Sequence, residues 1–135
     1  MISGIHHLGM IVDDYDRTVS FYCDMIDGEL ETETSIDGKV DVAFLRIPGR
    51  KLEVIARQER GTYLDELLDD LRDHTPYHVA YTVPDIEAAM RRLDEHDIQM
   101  YNQQPVGGVG TYVRAFVKPG AVPGLPIELV ELKDE

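Results

Sequence analysis

Apolar and polar positions follow the same order twice along the chain. In each half a short apolar run is followed by a stretch with helical apolar spacing, and then by three further runs with strand character. Asp14 and Asp85 stand directly before the helical stretches, where a short acidic side chain caps a helix. The predicted strands cover residues 5–12, 29–36, 40–47, 51–57, 77–83, 98–103, 111–117 and 126–132. The pattern therefore predicts βαβββ twice, an α+β fold.

Local matches between the halves indicate an internal repeat. Residues 7–14 align with 78–85 at an offset of 71, and both segments contain His, Val and Asp at matching places. Two further matches keep the same order, at offsets of 72 and 75: residues 43–46 with 115–118, and 52–55 with 127–130. Three ordered matches, together with matching predicted elements, favour a duplicated architecture over chance.

The segment between the copies predicts a linking helix. Leucines at 64, 67, 68 and 71 follow helical spacing, with acidic residues on the outer face. We expect a single domain over 1–135, with repeat one at about 1–60, this helix at about 62–73 and repeat two at about 76–135. The two repeats are expected to form a cupped, eight-stranded mixed sheet.

Strand alternation places four polar side chains at equivalent positions of the two copies. His7 and His78 lie opposite the bulky apolar residues of their strands, and Glu53 and Glu128 lie on the face opposite their flanking Leu, Val and Ile residues. A strand His or Glu usually faces solvent or a hydrogen-bond partner, but a solvated face gives no reason for both to recur. Two neutral imidazoles and two carboxylates carry a charge of −2, which balances a divalent cation. Such ligands suit Zn, Ni, Co, Mn or Fe(II).

The net charge of the chain limits the classes of binding partner. Lys and Arg number 13 against 26 Asp and Glu, a formal net charge of −13. This balance excludes nucleic acid and an anionic membrane surface as expected partners, because both require clustered cations. No apolar run approaches the roughly 20 residues of a spanning helix, and no signal peptide is evident. The lone Cys23 forms no internal disulfide, so we expect a cytoplasmic protein.

Four segments resemble the vicinal oxygen chelate superfamily, which includes glyoxalase I, bleomycin-type resistance proteins, methylmalonyl-CoA epimerase and extradiol dioxygenases. These segments are residues 5–9, 51–54, 77–86 and 126–131, so the resemblance covers nearly the whole chain. It implies one divalent metal ion that binds two oxygens of the substrate, and a homodimer. The implied metal ligands are His7, Glu53, His78 and Glu128.

Within that superfamily the chain looks most like an epimerase. Residues 116–119, followed by a glycine-containing loop into 126–129, are similar to the epimerase ending, although Lys118 stands where epimerases often carry His. The resemblance implies abstraction and return of an α-proton next to a metal-bound carbonyl, with acid/base groups on both faces of the carbon. Glu128 is the first candidate and Asp41 the second; an exposed strand residue beside a turn explains Asp41 equally well.

Three alternative functions stay open. A glyoxalase I-type lactoylglutathione lyase would take a glutathione hemithioacetal in place of an acyl-CoA thioester. An Fe(II) extradiol-type dioxygenase would need only His7, His78 and Glu128, which leaves Glu53 in a position that dioxygen would use. A metal-free binding or resistance protein would use the four side chains as hydrogen-bonding groups. Coenzyme A phosphates need compensating cations on so acidic a chain. The candidates for this role are Arg46, Arg50, Lys51 and Arg57.

Overall fold

The computed structural model describes residues 1–108 and 111–133, and its elements follow the predicted order. The strands are β1 Gly4–Ile11, β2 Glu29–Ile36, β3 Val40–Ile47, β4 Arg50–Arg57, β5 Tyr77–Thr82, β6 Val106–Gly107, β7 Tyr112–Phe116 and β8 Ile127–Leu132. The α-helices are α1 Tyr15–Ser20, α2 Asp65–His74 and α3 Ile86–Glu95, and a π-helical turn, Phe21–Met25, extends α1. The α+β class with mixed strand pairing is confirmed.

The chain groups into two compact units, with one boundary within β1 and the other at the start of β5. One unit is His7–Tyr77; the other joins Met1–His6 to His78–Glu135. In the first unit the strand order is β2-β3-β4-β1, with β1 parallel to β4 and the other pairs antiparallel. In the second unit the order is β5-β8-β7-β6, with β5 parallel to β8. The same strand order in both units is what the internal repeat predicts.

Both predicted helix caps form. The Asp14 carboxylate accepts from the backbone N–H of Arg17 at 3.0 Å, and that of Asp85 accepts from Ala88 at 3.0 Å. Each bond satisfies one of the donors that the first helical turn leaves without a partner in the helix. The capped helices bring their apolar sides onto one face of the strands.

Each unit has its own core on that face. In His7–Tyr77 the buried residues are Ala43, Leu45, Leu52 and Val54, against partly buried side chains from β1, α1 and the π-helical turn. In the second unit they are Val83, Ile86, Ala89, Met90, Ala115 and Leu129. These cores occupy one strand face, so the predicted ligands lie on the other face.

The predicted strand over 98–103 is wrong. Within the described residues, that stretch contributes only an isolated bridge between Met100 and Val117. The side chain of Asn102 accepts from the backbone N–H of Phe116 at 2.7 Å, which uses the donor that a longer ladder would need. The chain pairs with β7 again only at β6, in a stretch expected to be a loop. Residues 109 and 110 of that loop lie outside the described residues.

The linking helix forms, although it begins later than predicted. α2 starts at Asp65 rather than near 62 and buries Leu67, Leu68 and Leu71. No helix in the described part of the chain is long and apolar enough to cross a membrane.

An ion-pair network ties α2 to β4. The Arg57 guanidinium lies 2.7 Å from a carboxylate oxygen of Asp69, and Arg60 lies 2.6 Å from the other oxygen. Hydrogen bonds from Arg60 and then Arg57 lower the pKa of Asp69 well below its ordinary value. A carboxyl group with a depressed folded-state pKa stabilises the fold above its unfolded pKa of about 4, and this contribution disappears as the pH falls through the folded pKa.

Asp69→Asn is therefore expected to lower the free energy of unfolding at neutral pH. The difference from the unmodified chain should shrink as the pH falls below about 4, because the unfolded chain then binds a proton at Asp69, whereas the folded chain does so only at its lower folded-state pKa. Urea unfolding at several pH values measures this. Asp73→Asn, at an exposed position of the same helix, is the matched control. A deficit that persists unchanged to low pH would contradict the ion-pair explanation.

Candidate metal centre

The first histidine–glutamate pair lies in the unit His7–Tyr77. The parallel register places Gly9 beside Glu53, so His7, two residues earlier, projects from the same face as Glu53. His7 Nε2 lies 3.3 Å from Glu53 Oε1. His7 is 0% exposed and Glu53 is 8% exposed. A strand face that usually meets solvent thus buries an imidazole and a carboxylate in contact.

The second unit repeats this arrangement in the same register. Ala80 stands beside Glu128 in the parallel pair of β5 and β8, and His78 lies two residues before Ala80. His78 Nε2 lies 3.5 Å from Glu128 Oε1, and both residues are buried, at 1% and 3% exposure. Residues that align between the two halves of the sequence therefore also occupy equivalent positions in the two units.

An aromatic ring supports each histidine. Phe44 stands opposite Glu53 on the neighbouring strand, and its ring centre lies 5.2 Å from that of His7 at 82°. Phe116 has the same place opposite Glu128, 5.2 Å from His78 at 69°. Edge-on packing limits rotation of the imidazoles. Phe44 and Phe116 align at an offset of 72, but an apolar ring in a strand carries no sequence signal for this supporting role.

The donor set fits a divalent metal ion. A buried carboxylate is costly unless a cation or hydrogen-bond donors compensate for the lost water. The group His7, Glu53, His78 and Glu128 offers nitrogen and oxygen ligands of the kind that divalent ions bind. Ligand atoms about 2.1 Å from one ion lie roughly 3 Å apart at right angles and roughly 3.4 Å apart at the tetrahedral angle. The nitrogen–oxygen separations of 3.3 and 3.5 Å within the pairs are close to these spacings.

Asp41 lies elsewhere. It stands opposite Ala56 in the ladder, three residues from Phe44, and therefore on the other face of β3 from Phe44 and Glu53. Its carboxylate accepts from Gln58 Nε2 at 3.2 Å. It lines a cavity of about 300 Å³ together with Asp13, Asp14, Tyr15, Asp16 and Gln58. The structure brings Glu53 to His7 and leaves Asp41 on the side of α1.

Three of the four cations expected to offset an anionic substrate are committed to acidic side chains. Arg46 and Lys51 both contact Glu31, at 2.7 and 3.4 Å. The Arg46 hydrogen bond is the main cause of a lowered pKa at Glu31. Arg57 belongs to the network with α2. These residues neutralise the chain's own carboxylates and give no direct support to a phosphate-binding role.

The sequence reasoning missed Arg114. This β7 residue places Nε 3.7 Å from Glu128 Oε2, and its guanidinium carbon lies 5.7 Å from the centre of the Phe116 ring. Its side chain is only 12% exposed. The available signal was the departure from the repeat, because Arg114 corresponds to Val42 at an offset of 72. A charged residue at a position that is apolar in the other copy calls for an explanation at the site.

Comparisons with known proteins agree with this architecture. The family model described as Glyoxalase/Bleomycin resistance protein/Dioxygenase superfamily matches residues 6–131. An ethylmalonyl-CoA/methylmalonyl-CoA epimerase of Cereibacter sphaeroides is 25% identical over 135 residues, with 98% of this chain and all of the relative covered. The uncharacterized protein YqjC of Bacillus subtilis is 25% identical over 132 residues, covering 97% of this chain and 94% of the relative.

Solved structures share the fold. The crystal structure of methylmalonyl-CoA epimerase from Mycobacterium tuberculosis has a TM-score of 0.80 at 24% identity, covering 98% of this chain and 90% of that one. A methylmalonyl-CoA epimerase in complex with methylmalonyl-CoA and NH4+ has a TM-score of 0.81 at 21% identity, covering 98% and 96%. The resemblance carried by the four segments is confirmed, and the chain belongs to the Glyoxalase/Bleomycin resistance protein/Dioxygenase superfamily.

Proposed function

We propose that the chain is a divalent-metal-dependent, epimerase-like enzyme that removes and returns a proton next to the carbonyl group of a small acyl thioester. In this proposal one ion is held jointly by His7, Glu53, His78 and Glu128. The observation that carries it is the recurrence of a buried histidine–glutamate pair in the same strand register in both units. A repeat maintained only for folding has no need of two buried carboxylates, because apolar residues of similar size pack without their desolvation cost.

A metal ion at this site would contribute Lewis-acid catalysis. A divalent ion bound by these ligands would supply Lewis-acid stabilisation of the negative charge that develops on a substrate carbonyl oxygen. The ligand set of two imidazoles and two carboxylates accepts Zn, Ni, Co or Mn without selecting sharply among them. A six-coordinate ion would keep two positions for substrate, whereas tetrahedral coordination by four protein ligands would leave none.

Glu128 is the acid/base group that the geometry supports. Its carboxylate is 3% exposed, contacts His78 and lies near the guanidinium of Arg114, so it is held in place by neighbours on two sides. Returning the proton to the opposite face of the reacting carbon requires a second acid/base group on that face. Asp41 stays a prediction for that role, but its position on the α1 side of β3 does not support it.

Relatives favour an acyl-CoA substrate. The Cereibacter sphaeroides relative is named for two acyl-CoA substrates, and one structural neighbour holds methylmalonyl-CoA. A glutathione hemithioacetal is the alternative substrate of a glyoxalase-type lyase. The dioxygenase alternative is less consistent with the structure, because Glu53 is buried against His7 as Glu128 is against His78. A homodimer in the cytoplasm remains part of the proposal.

Replacing His78 by Ala is expected to abolish metal retention and leave the fold intact. The imidazole supplies one ligand, whereas the larger core cluster of its unit, which packs against α3, lies on the opposite strand face. Elemental analysis after gel filtration measures the bound metal, and circular dichroism checks the fold. His74→Ala removes an exposed histidine and is the matched control. Full metal occupancy in folded His78→Ala protein would remove His78 from the ligand set.

Replacing Glu128 by Gln is expected to slow α-proton exchange by about 10²- to 10⁴-fold, the range for loss of a general acid–base group. Deuterium incorporation into methylmalonyl-CoA, measured by mass spectrometry at saturating metal, gives the rate. Saturation separates loss of the base from loss of a ligand. Exchange at the unmodified rate in metal-loaded Glu128→Gln protein would exclude this role.

Asp41→Asn tests the second acid/base candidate. Because Asp41 faces away from His7 and Glu53, we expect unchanged metal content and unchanged exchange in the same assay. A fall of about 100-fold at full metal occupancy would instead establish Asp41 as a catalytic group and require β3 to adopt another register when substrate binds.

A further inference from the structure

Arg114 is a largely enclosed cation, with a side chain 12% exposed, that charge balance at the proposed metal centre does not require. Two glutamates and a divalent ion are already neutral together. Arg114 adds one positive charge beside Glu128, so the centre with this residue carries a surplus of +1. A surplus charge in a water-poor site is stabilised by a ligand that brings one negative charge.

The geometry of Arg114 leaves hydrogen-bonding capacity for such a ligand. Its Nε lies 3.7 Å from Glu128 Oε2, which is an electrostatic contact beyond hydrogen-bond length. Its Nη1 is buried and has no hydrogen-bond partner within residues 1–108 and 111–133. The Phe116 ring lies beneath the guanidinium at 5.7 Å and restricts the plane in which the N–H groups point. A buried donor with no partner is unfavourable in the folded protein and gains free energy when an acceptor arrives.

We propose that Arg114 binds a carboxylate of the substrate and makes the site selective for acyl thioesters that carry a carboxylate next to the reacting carbon. The inference rests on the proposed function and names the substrate class of the same site. The planar guanidinium matches a carboxylate better than any other cationic side chain does. Arg114 is nearly enclosed and lies beside Glu128, so its ligand must be attached close to the carbon where the proton moves. The distant phosphates of coenzyme A do not meet that condition.

The asymmetry of the repeat supports a substrate role. Val42, the equivalent residue in the first copy, is buried and apolar at 3% exposure. The paired residues His7 and His78, and also Phe44 and Phe116, are the same in the two copies, whereas Val42 and Arg114 differ. A ligand set for a single ion can be symmetric, but a substrate with different ends needs a difference between the two sides of its site.

The test compares two thioesters that differ by one carboxylate. Isothermal titration calorimetry measures malonyl-CoA and acetyl-CoA binding to cobalt-loaded unmodified protein, Arg114→Gln, Arg114→Lys and Arg91→Gln. In Arg114→Gln, malonyl-CoA should bind about 10- to 100-fold more weakly, the loss typical of a charge-assisted hydrogen bond, while acetyl-CoA binding changes less than about twofold. Arg114→Lys should fall between. Arg91→Gln makes the same charge change at an exposed position and should match the unmodified protein.

Several results would overturn the inference. Equal losses for both thioesters would assign Arg114 a general electrostatic effect, and a fall in cobalt content would make it a positioning residue for Glu128. Unmodified protein that does not prefer malonyl-CoA would also exclude the carboxylate role. Should the unmodified protein take up no cobalt, the proposed function fails. The same pair of titrations on metal-free protein then still decides whether Arg114 recognises a carboxylate.

Discussion

The burial of carboxylate groups is the constraint on which the rest of this structure depends. Glu53 and Glu128 are buried, where a carboxylate loses its hydration and is costly without a polar or charged partner. Each has an imidazole within 3.5 Å and an aromatic ring that supports that imidazole. The parallel pairing of the ligand-bearing strands sets which residues meet, because a slip of one residue would send the glutamate into the helix-facing core. In each unit the strand register therefore determines whether the histidine–glutamate pair forms.

The strand faces and the candidate ligands could be predicted because they follow from alternation and repetition. Side chains on a strand alternate strictly, so residue parity alone placed His7 with Glu53, and His78 with Glu128, away from the helix-facing core. The caps at Asp14 and Asp85 were equally local and formed as predicted. These features depend either on residues close together in the sequence or on a repeated pattern that relates residues far apart in it.

Features that depend on particular side-chain contacts could not be predicted from alternation and repetition. The strand expected over 98–103 is absent because the Asn102 side chain takes the Phe116 donor, a choice between backbone and side-chain partners that periodicity does not reveal. Alternation groups Asp41 with Ala43 and Leu45, but only the ladder register, with Asp41 beside Ala56 and Phe44 beside Glu53, relates that face to the candidate ligands. Arg114 carried a signal, its mismatch with Val42, but only the structure shows that it lies beside Glu128.

The central claim is that one divalent ion is held by ligands from both halves of the repeat. Elemental analysis of protein purified without a histidine tag or chelator, combined with X-ray absorption at the metal edge, tests it most directly. The account predicts about one ion per chain, coordinated by two imidazoles and by carboxylate oxygens. Two ions per chain with one imidazole each would show that the pairs act separately. Protein that neither contains nor takes up metal would contradict a metal centre altogether.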